Sequence, residues 1–338
     1  MSNSNLAKAR PGAVTIHDVA ALAGVSLVTV SRAINDPRQL SAKTLAKVLA
    51  AVERTGYVPN ISAGSLRSSR TRLIAAFVPN LQAHFASMIQ SMTNRFAEHR
   101  YQVLMGQIGY SMEQEAAMLR TVVGRRPDGI VLTGVTHSPE ARRLLADSGI
   151  PVVETWDLTS DPIDMLVGFS NLNAGRAAAD HLLDRGHRAL AFIGAEEERS
   201  RLRLEGFRAG AAARGAAEVE VELIRPPALI DDAGPRLAQI LSRRPDTTAV
   251  FCNNDLLAAG VLFECRRRGW DVPGRIAVMG FGDLAVARAA SPRLSTVLVR
   301  RAEMGERAGQ MLLARLSGES GGPKYVDIGF EVIARAST

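Results

Sequence analysis

From Leu73 onward, short apolar runs alternate with segments of helical periodicity, and the alternation runs through twice. LIAAFVP (73–79), YQVLMGQ (101–107), GIVLTG (129–134) and PVVETW (151–156) form the first series. ALAFIG (189–194), a short run near 221–225, AVFCNND (249–255) and IAVMGFG (276–282) form the second. Such runs read as strands buried on both faces. Helical stretches near 84–99, 112–125, 138–148, 173–185, 200–214, 233–243 and 255–269 separate them. Alternating β and α segments predict a doubly wound parallel sheet, and two series predict two lobes. Ligands of that architecture bind beyond the carboxyl ends of the strands. Two facing lobes trap a small molecule and close by hinge motion.

The segment ahead of Leu73 differs in charge and period. Residues 1–72 hold ten Lys and Arg against three Asp and Glu, so the whole formal excess of +7 sits there and the remainder is neutral. A basic head on a neutral body suits phosphate binding. Thr15 is placed to cap a helix with Asp18 three residues on, a variant of the capping box. Ile16, Val19, Ala20 and Ala23 then line one face. Gly24 permits a sharp turn, and Ser26 caps a second helix through about Ile34. Helix, glycine turn, helix is the helix-turn-helix unit. Val25, Val30 and Ile34 face the core of this head. Leu27, Val28, Thr29, Ser31, Arg32 and Asn35 fall on the exposed face that meets a major groove. Arg32 suits guanine, the hydroxyls and Asn35 suit phosphates or base edges, and Leu27 and Val28 suit thymine methyls. Ser41 caps a third helix with Leu45, Val48, Leu49 and Val52 as its buried stripe, ending near Gly56. Beyond Tyr57 and Pro59, Asn60 starts a short helix to about Arg67, too short to be stable alone.

The composition excludes other classes. No apolar run nears the ~18–20 residues of a membrane span, and the first residues lack the apolar core of a signal peptide. Cys252 and Cys265 have neither metal-ligand nor disulfide spacing, so a reducing cytoplasm is expected and no metal or cofactor. No G-x-S-x-G elbow, P-loop or G-x-G-x-x-G follows a strand, and nothing sets a spacing for His137 and Glu154 as an acid/base pair, so no enzyme is expected. The strand ends offer Phe85, Thr136, His137, Glu154, Arg203, Asn254, Asp255 and Asp283. Hydrogen-bonding groups, carboxylates, arginine and aromatics together suit a polyol or sugar acid.

The stretch VTIHDVAALAGVSLVTVSRAIND, followed by SAKT, GYVPN, Ala63 and Leu66, resembles the DNA-binding head of the LacI/GalR family of bacterial repressors. The resemblance implies a head over 1–59, a hinge helix and linker over 60–72, and an effector-binding body over 73–338. It implies an N-lobe of about 73–170 plus 302–324 and a C-lobe of about 171–300 plus 325–338. It makes Thr15, Ser26 and Tyr57 part of the DNA-binding set, Asn60 and Ala63 hinge contacts, and Leu66 a minor-groove wedge. RSRLRLEGF (199–207) matches an effector-binding segment and places Arg203 on the ligand, with Arg199 and Arg201 facing solvent or the lobe interface. NND (253–255) places Asn254 and Asp255 in the cleft. Where many members carry Gly-Tyr-Asp-Asp, this chain has Gly280-Phe281-Gly282-Asp283, which removes a carboxylate and favours an anion.

GYSMEQE, LTGVTHSPEARRLL, PIDMLVGFSN and PRLSTVLVRRAEMG resemble the gluconate-operon repressor branch of that family. This implies gluconate as effector, Arg203 and Arg301 on its carboxylate, and Thr136, His137, Glu154, Asn254 and Asp283 on its hydroxyls. It implies a homodimer on a near-palindromic operator, released by the effector. The chain ends at Thr338, so a dimer rather than a tetramer is expected. A different sugar or phosphorylated sugar acid, or a sugar-binding protein without regulation, are the alternatives.

Overall fold

The computed structural model describes residues 14–58, 70–319 and 321–338. The chain divides into two compact units, with the division between Thr71 and Arg72. The smaller holds three helices: α1 (Ile16–Ala23), α2 (Leu27–Asn35) and α3 (Ala42–Thr55). The Asp18 carboxylate accepts from the Thr15 backbone N–H at 2.7 Å and its hydroxyl at 2.8 Å, which starts α1. Gly24 turns the chain in the left-handed region at φ +55°, and α2 leaves at 104° to α1. Ser26 and Ser41 accept from the N–H groups of Thr29 and Thr44, capping α2 and α3. Val19, Ala20, Ala23, Val30, Ala33, Val48 and Ala51 form the core, with Val25, Ile34, Leu45, Val52 and Tyr57 packed at its margin. One expected core residue is outside it: Leu49 is 50% exposed, and Ala51 takes the inward position. Asn60, Ala63 and Leu66 lie outside the described residues.

The larger unit contains two six-stranded sheets. The first is built from β1 (Leu73–Val78), β2 (Gln102–Gln107), β3 (Gly129–Thr133), β4 (Val152–Thr155), β5 (Met165–Gly168) and β11 (Tyr325–Asp327). Its order is β11-β5-β4-β3-β1-β2, and every pairing is parallel. The second is built from β6 (Leu190–Ala195), β7 (Glu220–Ile224), β8 (Ala249–Cys252), β9 (Ala277–Gly282), β10 (Ser295–Leu298) and β12 (Glu331–Ile333). Its order is β12-β10-β9-β8-β6-β7, with only β10–β12 antiparallel. The helices of the first lobe are α4 (Ala83–Glu98), α5 (Met112–Val123), α6 (Pro139–Ser148) and α12 (Arg301–Ser317). Those of the second are α7 (Asn171–Asp184), α8 (Glu198–Ala213), α9 (Ala233–Arg243), α10 (Asp255–Arg267) and α11 (Ala285–Ala289). Most strands match the predicted runs within one or two residues.

Three differences concern the connections. The short strands β5 and β10 were not predicted, and each is the last element before the chain changes lobe. The two short strands near the end of the chain were not predicted either: the run YVDIGFEVI divides into β11 and β12 around Gly329 at φ +62°. Because β11 pairs with β5, residues 325–327 belong to the first lobe, and its boundary moves past Asp327. The chain therefore crosses three times: after β5, after β10 and after β11. The crossovers are bonded to each other, Ile328 N–H to the Gly168 carbonyl at 2.9 Å and the Arg300 guanidinium to the Ile328 carbonyl at 3.1 Å.

Helix α8 touches α7 backbone to backbone. A Cβ on Gly206 would stand 1.8 Å from the Leu172 carbonyl oxygen, and one on Gly175 would stand 1.9 Å from the Arg203 oxygen. Only hydrogen fits at either position. Gly206→Ala is expected to cost about 1–3 kcal/mol through forced separation of the helices, read as a lower urea midpoint at unchanged slope.

Candidate functional site

Two surfaces carry the expected chemistry, one on each unit. On the smaller unit, α2 presents Leu27 at 38% and Val28 at 49% exposure beside exposed Arg32. Ser26 and Thr29 share a hydrogen bond at 2.9 Å, so their hydroxyls hold each other at the start of the helix. Thr15 is similarly committed to Asp18, and Tyr57 is half-buried against the core. Ser31 is half-exposed, and Asn35 closes the helix. Arg32, Arg38, Lys43, Lys47 and Arg54 are all exposed. A short helix with exposed apolar side chains at its start and an exposed arginine in its last turn, on a cationic module, is shaped to enter a groove and meet phosphates.

On the larger unit, a cavity of about 40 Å³ lies between the lobes. Gln82, His84, Phe85, Tyr110 and Trp156 of the first lobe form one wall. Glu197, Arg199, Arg203, Asn253, Asn254, Phe281 and Gly282 of the second form the other, and Arg301 enters from the second crossover. Rings connect the walls: Phe85 meets Trp156 edge-on at 4.9 Å, Trp156 meets Phe169 at 6.4 Å, and Phe169 meets Phe281 at 6.0 Å. Trp156 holds this position at φ +76°, a strained conformation for a bulky residue, with its carbonyl accepting from Asn171 at 2.8 Å. Gln82 donates across the cleft to the Ala228 carbonyl at 3.4 Å.

The cavity collects cations. The Arg203 guanidinium stacks on Phe281 with its carbon 4.1 Å from the ring centre. It pairs with Glu197 at 3.3 Å and donates to the Arg199 carbonyl at 3.2 Å. Arg199 pairs with the same carboxylate at 3.3 Å and lies over Phe85 at 5.7 Å. Arg301 donates one nitrogen to the Asp283 carbonyl at 3.3 Å, while its buried Nη1 has no hydrogen-bond partner among the described residues. The buried His84 Nδ1 and Asn253 Oδ1 likewise have none. Burial, with three guanidiniums nearby, pushes His84 down to about 3, so its ring is neutral at pH 7. Burial also pulls Arg203 down to about 10, which leaves it charged there.

Of the predicted effector residues, the cavity brings together Phe85, Arg203, Asn254 and Arg301. Asn254 divides its side chain, its oxygen capping α10 through the Leu257 N–H at 2.9 Å. The other five do not line it. Thr136 sits in an adjoining basin of about 220 Å³. Asp255 is buried behind Gly280 and Gly282, accepting from Thr296 and from the Leu284 N–H, each at 2.6 Å. The Asp283 carboxylate is held by Arg288 at 2.9 Å and Arg335 at 2.7 Å. His137 and Glu154 face each other inside the first lobe, close enough for charge attraction, and each takes its hydrogen bond from a different partner. The His137 ring stands 2.8 Å from Glu115 and 3.3 Å from Glu154, and Glu154 also accepts from the Ile163 N–H at 2.6 Å.

Of the two places expected for Arg199 and Arg201, Arg199 takes the lobe interface, lining the cavity at 9% exposure, and Arg201 takes solvent. Sequence reasoning also passed over Glu197. Arg199 and Arg203 lie four apart on one helix face, which was a usable signal; Glu197, in the cap position before the helix, had none.

Residues 15–60 match the family described as "Bacterial regulatory proteins, lacI family", and residues 179–338 match "Periplasmic binding protein-like domain". The HTH-type transcriptional regulator GntR of Pseudomonas aeruginosa is 38% identical, over 97% of this chain and 96% of that protein. The regulator of the same name in Escherichia coli is 34% identical, over 96% of this chain and 97% of that protein. A LacI family transcriptional regulator from Silicibacter pomeroyi superposes with a TM-score of 0.90 at 31% identity, covering 96% of this chain and 99% of that one.

The His137 cluster yields a stability test. Burial opposes its charge, but the carboxylates of Glu115 and Glu154 outweigh this and push it up to about 9. Its contribution is complete below the unfolded value of about 6.5 and is lost as pH rises through about 9. His137→Leu would strand two buried carboxylates and is expected to cost about 3–5 kcal/mol near neutral pH. Denaturation between pH 6 and 10 should show the parent losing stability over that window and the variant losing less.

Proposed function

The chain belongs to the LacI family of DNA-binding transcriptional regulators, and from that premise we propose that it represses sugar-acid utilisation genes and is released by a gluconate-type effector. It regulates transcription and is not an enzyme. Two copies would bind a near-palindromic operator, because the symmetry of a dimer requires symmetry of the site. In each copy Leu27, Val28, Thr29, Ser31, Arg32 and Asn35 would face the major groove, with Thr15, Ser26 and Tyr57 supporting them. Asn60, Ala63 and Leu66 are proposed to work at the minor groove. Such a regulator works in the cytoplasm.

The observation that carries the effector reading is Arg301 Nη1, buried in the cavity with no hydrogen-bond partner among the described residues. A buried unsatisfied donor of a charged group is costly until a ligand meets it, and a carboxylate meets it best. Gly282 supports this. At φ +121° it disfavours any side chain, and a Cβ there would stand 3.7 Å from Arg301 Nη1. A carboxylate carried at that position would occupy the arginine; glycine leaves it for the ligand. Neutral His84 and Asn253, each with an unpartnered buried atom, offer hydroxyl contacts beside it. We assign the ligand carboxylate to Arg301 and its polyol chain to Arg203, Asn254 and the Phe85 wall. Because Arg301 stands at the end of a crossover, a ligand held there acts directly on the angle between lobes. A ligand that binds the two lobe arrangements unequally shifts operator affinity by the difference, typically ~1–3 kcal/mol.

Calorimetric titration of the full-length protein tests this. Gluconate should bind well above glucose, and Arg301→Ala should lose gluconate binding while keeping operator affinity. Equal binding of glucose, or a persistent gluconate response in Arg301→Ala, would overturn the assignment. Arg32→Ala should weaken specific operator binding by ~1–3 kcal/mol and leave random DNA little changed; an equal loss on both would place Arg32 on phosphate.

A further inference from the structure

Glu197 stands where no recognition role has been assigned, yet it governs the charge of the cavity. Its side chain is 8% exposed. One oxygen accepts from the Ser200 N–H at 2.9 Å and pairs with Arg203 at 3.3 Å. The other accepts from the Arg199 N–H at 3.3 Å and pairs with the Arg199 guanidinium at 3.3 Å. A single carboxylate therefore caps α8 and holds both guanidiniums that the helix sends into the cleft. Those contacts are the ones an acidic ligand would otherwise make.

The remaining charges are distributed unevenly. Arg301 has Asp255 behind it, with the Asp255 Oδ2 3.6 Å and the Arg301 Nη1 3.7 Å from the point a Cβ on Gly282 would occupy. Asp283 is already held by Arg288 and Arg335. Asp157 lies in the adjoining basin, its carboxylate accepting from the Leu158 N–H at 2.9 Å. Among the described residues, Arg199 and Arg203 share the one carboxylate of Glu197 at ion-pair distance and Arg301 has none there, while Asp157, Asp255 and Asp283 act on the three guanidiniums without pairing with them.

We propose that Glu197 is a specificity-determining residue, an internal competitor that limits the cavity to ligands carrying one negative charge. This rests on the reading of the cavity as an anion site. A second anionic group, such as a phosphate at the far end of a sugar acid, would have to displace Glu197 from Arg199 and Arg203. Its approach is opposed by the carboxylate that it must displace. Removing the Glu197 charge while keeping an acceptor at the cap frees both guanidiniums for such a group.

The test is the pair of affinities for gluconate and 6-phosphogluconate, measured by calorimetry on full-length protein and on Glu197→Gln. Glu197→Ser, which retains a capping hydroxyl, is the second variant, and melting curves verify that each is folded. The parent should prefer gluconate. In both variants the ratio should move toward 6-phosphogluconate by roughly tenfold or more, as expected for one charge removed at contact range in a partly buried site. An unchanged ratio with both ligands still bound would overturn the role of Glu197 and leave the anion site standing. Loss of both ligands in a folded variant would make Glu197 a direct ligand contact and overturn the competitor role. Failure of the parent to bind either ligand would remove the anion reading and this inference with it.

Discussion

The contact of α7 with α8 sets the position of nearly everything in the second half of the cleft. Gly175 and Gly206 bring two helix backbones together where a methyl group would collide with a carbonyl oxygen. That contact is rigid because no side chain mediates it. It fixes the first turn of α8, and so fixes Glu197, Arg199 and Arg203 without those long side chains needing to find their own places. The first lobe repeats the device: a Cβ on Gly305 of α12 would stand 2.2 Å from the Met88 carbonyl oxygen of α4. That second contact anchors the helix whose first residue is Arg301. Both arms of the cationic cavity are thus mounted on close-packed helix pairs, and a site on such elements is held more tightly than one on loops.

Burying several charges together is costly unless each is partnered. Here the partners are arranged in layers. Glu197 answers two guanidiniums directly, Asp255 stands behind the third, and Phe281 gives Arg203 a ring face. Asp255 shows the strain of the arrangement: burial pushes it up to about 6 even though Thr296 and the Leu284 N–H both donate to it. The Glu115–His137–Glu154 cluster follows the same logic away from the cleft. It takes polar residues at strand ends, where ligand contacts are expected, and uses them to pin the first lobe instead.

That cluster explains where sequence reading stops. Period and capping were enough for the head, because Thr15, Ser26, Ser41 and Gly24 each act within a few residues of themselves. The strands were legible as apolar runs, but β5 and β10 are four residues long and their significance is topological. For the site, being at a strand end says that a side chain is near the cleft, not which way it is turned. Arg203, Arg301, Phe85 and Asn254 turn inward, whereas Glu154, one strand-end carboxylate among several, turns away to His137. Glu197 was invisible because its importance is a pairing with Arg199 and Arg203 that only the folded first turn of α8 creates.

The three crossovers leave β5, β10 and β11, which belong to the strand pairs at one margin of each sheet, β5 beside edge strand β11 and β10 beside edge strand β12. They are also bonded to one another through Ile328, Gly168 and Arg300. Mechanically this is a clamp with a broad leaf spring along one side rather than a single pivot. Sliding of one lobe across the other would stretch at least one tether, and opening the jaws would bend all three together. Arg301 stands at the end of one of these tethers, the one that follows β10.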